Sequence, residues 1–217
     1  MWSRNLPFFL AVSIGAYLPM LLLVPGVLGT GRGWILFFVG FAVTIILSYV
    51  ATGFMTYSVL EQLRGRVPGV GDAISYGASR AGPLLWAAFV TSLLLFAAGL
   101  LLVIPGIYFA VRWALMAPVV IAEKGVDPRA RSAELTAGHR WGIFGLIVLM
   151  GIASLILVGV LGAVIGPSTN VLVRLVGQIV PQAFVLSFSA VVYGVIYYQL
   201  RSEKEGVDIE QLTSVFR

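Results

Sequence analysis

Apolar residues fall in three long blocks, residues 5–60, 81–122 and 141–200, and each block contains a single charged residue: Arg32, Arg112 and Arg174 respectively. Each block is long enough for two crossings of a bilayer at about 20 residues per crossing. Each also carries a turn signal near its middle, Pro25-Gly26, Pro105-Gly106 and Gly166-Pro167. The pattern predicts six helices, over roughly 6–25, 33–59, 83–104, 107–122, 142–165 and 170–200. The runs are continuous and not alternating ten-residue segments, so a β-barrel is excluded. A long apolar run with no clear small-x-small cleavage site makes the first helix a retained span and not a signal peptide.

The blocks resemble one another. Ser3-Arg4-Asn5-Leu6-Pro7, Ser79-Arg80-Ala81-Gly82-Pro83 and His139-Arg140-Trp141-Gly142-Ile143 open the odd helices, and each lone arginine lies seven residues after its turn proline (25, 105 and 167). Self-similarity of this kind predicts repeated units, here three parallel hairpins about an axis along the membrane normal. Amphipathic stretches follow each hairpin. In 68–80, Val70, Ala73, Ile74, Gly77 and Ala78 make an apolar stripe. In 127–141, Asp127 is a natural N-cap with Pro128 at the first helical position. In the tail, Asp208 and Gln211 have capping-box spacing. Such helices either lie in the headgroup plane with their basic residues on anionic lipid or pack on the base of the bundle. The expected fold is therefore an all-α polytopic membrane protein. Residues 1–200 form a six-helix transmembrane domain of three hairpin repeats with amphipathic cytoplasmic connecting helices, and 201–217 a cytoplasmic amphipathic tail.

Composition narrows the class. Of 217 residues, 59% are hydrophobic and 11% charged, and the mean hydropathy is +1.01. A soluble domain is about 45–50% apolar and about 25% charged; a water-soluble enzyme, a disordered chain and a secreted disulfide scaffold are excluded. Cysteine is absent, which removes disulfides, thiolate metal sites and cysteine nucleophiles. The net charge of +5 does not point to nucleic acid, because of where the charges lie. All nine acids and all the basic residues but the three lone arginines fall at the N-terminus, in the two segments between blocks and in the tail. Positive residues favour the cytoplasmic side, so both termini are expected inside, in the cell (inner) membrane.

The stretch Leu102-Val103-Ile104-Pro105-Gly106-Ile107-Tyr108, then Arg112, Pro118 and Glu123, then Ala133-Glu134-Leu135-Thr136-Ala137-Gly138-His139-Arg140-Trp141 resembles the membrane domain of glycerophosphoryl diester phosphodiesterase. The likeness extends to stand-alone six-helix relatives of that domain. The tail 207–216 resembles the usual family ending. In some members the membrane domain precedes a phosphodiesterase barrel that performs the hydrolysis. The resemblance here is to the stand-alone members, so the enzymatic activity does not carry over.

Hydrolysis of a phosphodiester needs a metal site or an acid/base pair. The one histidine, His139, stands beside Arg140 and Trp141, where an interfacial role with Arg80 is expected. No carboxylate lies within a predicted span. The reading is non-enzymatic, with no catalytic residue, metal or cofactor. Arg112 is the sharpest candidate. Counted at 1.5 Å per residue from Pro105, it lies about 10 Å below the outer turn, where an unsatisfied arginine is costly. It either snorkels to headgroups or, with Tyr108, binds a phosphate-bearing lipid or other anion; Arg32 and Arg174 are weaker anion candidates near the outer surface. Thr44, Ser48, Thr52 and Thr56 form one polar stripe, and Gln178 and Gln182 a second, expected in the interior; such stripes more often glue helices than line a path. Gly162 and Gly166 read as a packing motif. The leading expectation is an integral membrane module that engages anionic lipid or assists a membrane-protein partner in lipid or envelope handling. The alternative is a small lipid or organic-anion transporter, recognisable by a polar cavity joining Arg112 to Gln178 and Gln182.

Overall fold

The computed structural model describes residues 2–22, 33–66, 69–101, 103–165 and 170–205. Every regular element among them is helical: α1 (Trp2–Tyr17), a 3-10 turn (Leu18–Leu22), α2 (Gly33–Leu63), α3 (Val70–Leu101), α4 (Val103–Arg112), α5 (Met116–Ala122), α6 (Pro128–Leu135), α7 (Arg140–Ile165) and α8 (Val171–Glu205). Arg32, the turns at 25–26 and 166–167 and the tail 206–217 lie outside the described residues. Five stretches are long and apolar enough to cross a membrane, Phe38–Leu63, Gly71–Ala97, Ile104–Ala122, Arg140–Ile165 and Val176–Glu205; a shorter apolar helix covers Pro7–Met20. These helices are compatible with a multi-pass membrane protein.

The expected plan is corrected in two places. The amphipathic stretch 68–80 is no separate headgroup helix: from Val70 it is the first part of α3, which runs on unbroken through Pro83. Of its apolar stripe, Ala73 and Gly77 are buried against the bundle, whereas Ile74 and Ala78 are exposed. At the crossing with α2, a Cβ placed on Gly77 would stand 2.7 Å from the Phe54 backbone nitrogen, and one on Gly53 would stand 3.3 Å from the Gly77 carbonyl oxygen. The two backbones touch there because neither glycine has a side chain. The opening motif 79–83 therefore lies well inside α3, whereas 139–143 begins α7, so these two motifs do not occupy matching places in the described helices.

The second correction concerns the fourth span. It is broken at 113–115 into α4 and α5, one turn before Pro118, which has no N–H to offer the Ala114 carbonyl and whose ring crowds it. A helix end leaves backbone carbonyls and amides without partners, and here two hydroxyls from α6 supply them. Ser132 Oγ donates to the Arg112 carbonyl at 3.0 Å and accepts the Leu115 N–H at 3.1 Å; Thr136 Oγ1 reaches the same carbonyl at 3.3 Å. Both hydroxyl residues are fully buried. Asp127 caps α6 as its sequence predicts, accepting the Arg129 N–H at 3.0 Å, and Pro128 opens the helix. The buried Ala133 and Leu135 fix α6 against the bundle and not in a headgroup plane. Gly138, at φ 91°, adopts the left-handed conformation that glycine tolerates best and turns the chain into α7.

The main core gathers Leu60, Leu84, Val111, Leu115, Val119, Ile121, Leu135, Ile143 and Tyr197, and joins α2, α3, α4, α5, α6, α7 and α8. A second core, around Phe9, Phe54, Met55 and Ala190, seats α1 on α2 and α8. By contrast α7 is nearly bare: 6% of its most apolar window is buried inside the molecule. Its high hydropathy with so little protein contact is what a lipid-facing helix requires. No group stands within contact distance of a Cβ built on Gly159 or Gly162, so the predicted packing motif has no packing partner among the described residues.

Candidate anion site between α4 and α7

The break at 113–115 makes Arg112 the last residue of α4, where a cation suits the negative end of the helix dipole. One turn earlier on the same face stands Tyr108. The first residue of α7, Arg140, meets this tyrosine: Arg140 Nη1 donates to Tyr108 Oη at 3.1 Å, and the guanidinium carbon lies 5.3 Å from the ring centre. A cleft of about 420 Å3 opens here, with Tyr108 and Arg140 as its polar lining and Ile104, Ile107, Val111, Trp141 and Phe144 as its walls. Trp141 is 85% exposed and Ile104 77%, so the apolar walls face outward. Trp141 meets Phe144 edge-on, with ring centres 6.0 Å apart.

The electrostatics of this cleft are one-sided. Among the described residues, neither Arg112 nor Arg140 takes part in an ion pair, and no carboxylate lines the cleft. The Nε–H of each guanidinium is buried and without a hydrogen-bond partner. A buried donor left unsatisfied costs about 1–3 kcal/mol, more when charged. Of the two, Arg140 lines the cleft, and Arg112 follows the wall residue Val111 in sequence without lining it. The Arg112 carbonyl is bound by Ser132 and Thr136. The count of 1.5 Å per residue holds from Pro105 to Arg112, since α4 is continuous there; what conflicts with a place near an outer turn is the contact of Tyr108 with Arg140, which was expected at the cytoplasmic interface.

The other sequence candidates disperse. His139 Nε2 lies 3.5 Å from Glu203 Oε1 at the surface. Arg80 donates to the Glu123 carbonyl at 3.3 Å and sits 5.9 Å from the Tyr76 ring centre, away from Arg140. Arg174 is exposed on α8. Gln178 and Gln182, expected inside, are exposed and flank the buried Ile179, Pro181 and Ala183; the period of α8 turns its small and aliphatic residues inward there. The hydroxyl stripe of α2 bonds its own helix: Thr44 Oγ1 donates to Gly40 O and Thr52 Oγ1 to Ser48 O, both at 2.8 Å. Such back-bonding satisfies a hydroxyl without a neighbouring helix.

Sequence reasoning missed an ionic cluster and credited its basic members to lipid. Glu123 accepts Arg131 Nε through both oxygens, at 3.2 and 3.0 Å, and the Tyr197 hydroxyl at 2.7 Å. Arg131 also pairs with Glu134 and Glu205, and Arg201 Nε donates to Glu205 at 2.7 Å. Burial alone would lower the Arg131 pKa. Hydrogen bonds to Glu134 and Glu123, with their charges, outweigh it and hold the pKa above the ordinary value. This cluster clamps α6 to the end of α8, and with it the hydroxyls that hold the break. Interspersed acids and bases in 123–134 and 201–205 were the available signal.

The chain matches no protein-family model, no curated protein and no solved structure. The resemblance of 100–141 to a phosphodiesterase membrane domain therefore rests on those residues alone, and the site on its geometry.

Proposed function

We propose that this chain is a non-enzymatic module of the cell (inner) membrane that holds an anionic lipid headgroup in the cleft between α4 and α7. The observation that carries this reading is Arg140, which lines a cleft without a carboxylate and has a buried, unpartnered Nε–H; Arg112, next to the wall residue Val111, carries a second unpartnered Nε–H. The apolar, outward-facing walls favour an amphiphile over a free anion, since an acyl chain can lie along Ile104, Ile107 and Phe144 while the phosphate meets the arginines. In this reading the charged ends of the helices, with both termini, face the cytoplasm, and a membrane-protein partner in lipid or envelope handling would use the bound lipid. Transport is the weaker reading, because Gln178 and Gln182 lie exposed on α8 and are not among the residues lining the cleft at Arg140.

Trp141 supplies the test. In a variant that keeps Trp141 as its only tryptophan, brominated phosphatidylglycerol should quench fluorescence at lower mole fraction than brominated phosphatidylcholine. Arg140→Gln should erase about tenfold of that preference, the size of one charge-assisted hydrogen bond. Equal quenching by the two lipids before any arginine is changed would sink the proposal.

A further inference from the structure

Thr91 Oγ1 of α3 donates to Met116 Sδ at 3.0 Å, a contact between residues 25 apart in sequence. The chain leaves this contact along α3 and returns to it along α4. Beyond Thr91, α3 runs only to Leu101, a rise of about 15 Å at 1.5 Å per residue. The return, α4, is ten residues long, Val103–Arg112. A hydrocarbon core is about 30 Å thick, and an apolar segment of about 10–14 residues is not expected to span it.

The neighbouring helix supplies the scale. Ile104 and Ile107, early in α4, share one cleft with Arg140, Trp141 and Phe144 at the start of α7. Residues 145–165 of α7 continue for about 31 Å past that cleft. At the far end Ile165 meets the beginning of α8, where a Cβ on Gly177 would stand 2.7 Å from Ile165 Cγ2. A hairpin that crossed beside α7 would bring Ile104 level with Ile165. Ile104 stands instead by the first turns of α7, where an arginine and a tryptophan suit a membrane–water boundary. The surface that the hairpin presents is apolar. Phe89, Leu93 and Phe96 of α3 and Ile104 of α4 are all exposed, and no charged residue stands between Arg80 and Arg112. Because α3 ends one residue before α4 begins, nearly all of this backbone is bonded within helices, as hydrocarbon demands.

We propose that the α3–α4 hairpin is re-entrant: it enters the membrane from the side of Arg140, turns inside it and comes back, and its exposed face packs on the acyl chains of that one leaflet. The stretch Ile104–Ala122, long and apolar enough to cross, then begins inside the membrane and not at its far surface. The hairpin widens the protein in a single leaflet. The inference shares the membrane reading of the fold but needs no anion at Arg140, so the two can fail separately.

The chain has no cysteine, so introduced cysteines report position directly. Asn170→Cys, just before α8, and Glu203→Cys, near its end, occupy exposed positions and should react with a membrane-impermeant maleimide from opposite sides. Ile104→Cys should stay unlabelled from the side that labels Asn170→Cys. A short bifunctional maleimide should join Ile104→Cys to Trp141→Cys and not to Val164→Cys, at the far end of α7. These three residues are exposed, so their replacement leaves both cores intact. Labelling of Ile104→Cys from the Asn170 side, or a link to Val164→Cys in place of Trp141→Cys, would overturn the proposal. Labelling of Asn170→Cys and Glu203→Cys from the same side would overturn it together with the crossing of α8.

Discussion

Replacing Ser132 by Ala and Thr136 by Val together should destabilise the folded protein by about 3 kcal/mol and abolish lipid discrimination at Trp141. The two hydroxyls bridge the break at 113–115, binding the Arg112 carbonyl and the Leu115 N–H in a site with no exposure. Their removal orphans both backbone groups, at about 1–3 kcal/mol each when buried. Thr136→Val alone should cost less than about 1 kcal/mol, because Ser132 still donates to that carbonyl. Chemical unfolding in detergent gives both values. A double variant no less stable than the single one would mean that the break does not depend on α6.

The second large effect belongs to the α2–α3 crossing. Gly77→Leu should cost about 3 kcal/mol or more, beyond the usual range for one overpacked residue, and reduce the yield of monodisperse protein. Its Cβ would meet the Phe54 backbone, 2.7 Å from nitrogen and 3.0 Å from Cα, and backbone cannot move aside as a side-chain tip can. Gly159→Ala on α7 is the control. Nothing lies within 4 Å of that position, and alanine favours a helix over glycine by roughly 0.5–1 kcal/mol. Thermal unfolding that ranked the two substitutions alike would contradict the close approach of α2 and α3.

These sites mark where sequence reasoning stops. The Asp127 cap was legible because capping is local, a side chain and an amide two residues apart. The stripe 70–78 was also legible as helical, though only Ala73 and Gly77 of it are buried and Ile74 and Ala78 are exposed. A stripe identifies a face and not an end, however, and nothing between it and Pro83 terminates the helix, so the connector and the third span became one element. The break at 113–115 was legible in part, because Pro118 disfavours a helix one turn earlier, at Ala114. What was not legible is how the broken ends are satisfied, since the hydroxyls come from Ser132 and Thr136, 17 to 24 residues away. The same nonlocality hid the meeting of Arg140 with Tyr108, while Arg112 and Arg140 were each legible as a charge in apolar or interfacial surroundings. Gly77 was counted only as a small residue in a stripe, since its neighbour at Phe54 belongs to another helix.

The central claim is that Arg112 and Arg140 together favour an anionic headgroup. Native mass spectrometry of the delipidated protein, titrated in mild detergent with phosphatidylglycerol and phosphatidylcholine, tests it most directly alongside Arg112→Gln and Arg140→Gln. The account predicts a phosphatidylglycerol adduct that survives collisional activation in the parent and is weakened in each variant. The same weak, unselective adducts with both lipids in all three proteins would contradict it and leave the two arginines as interfacial anchors.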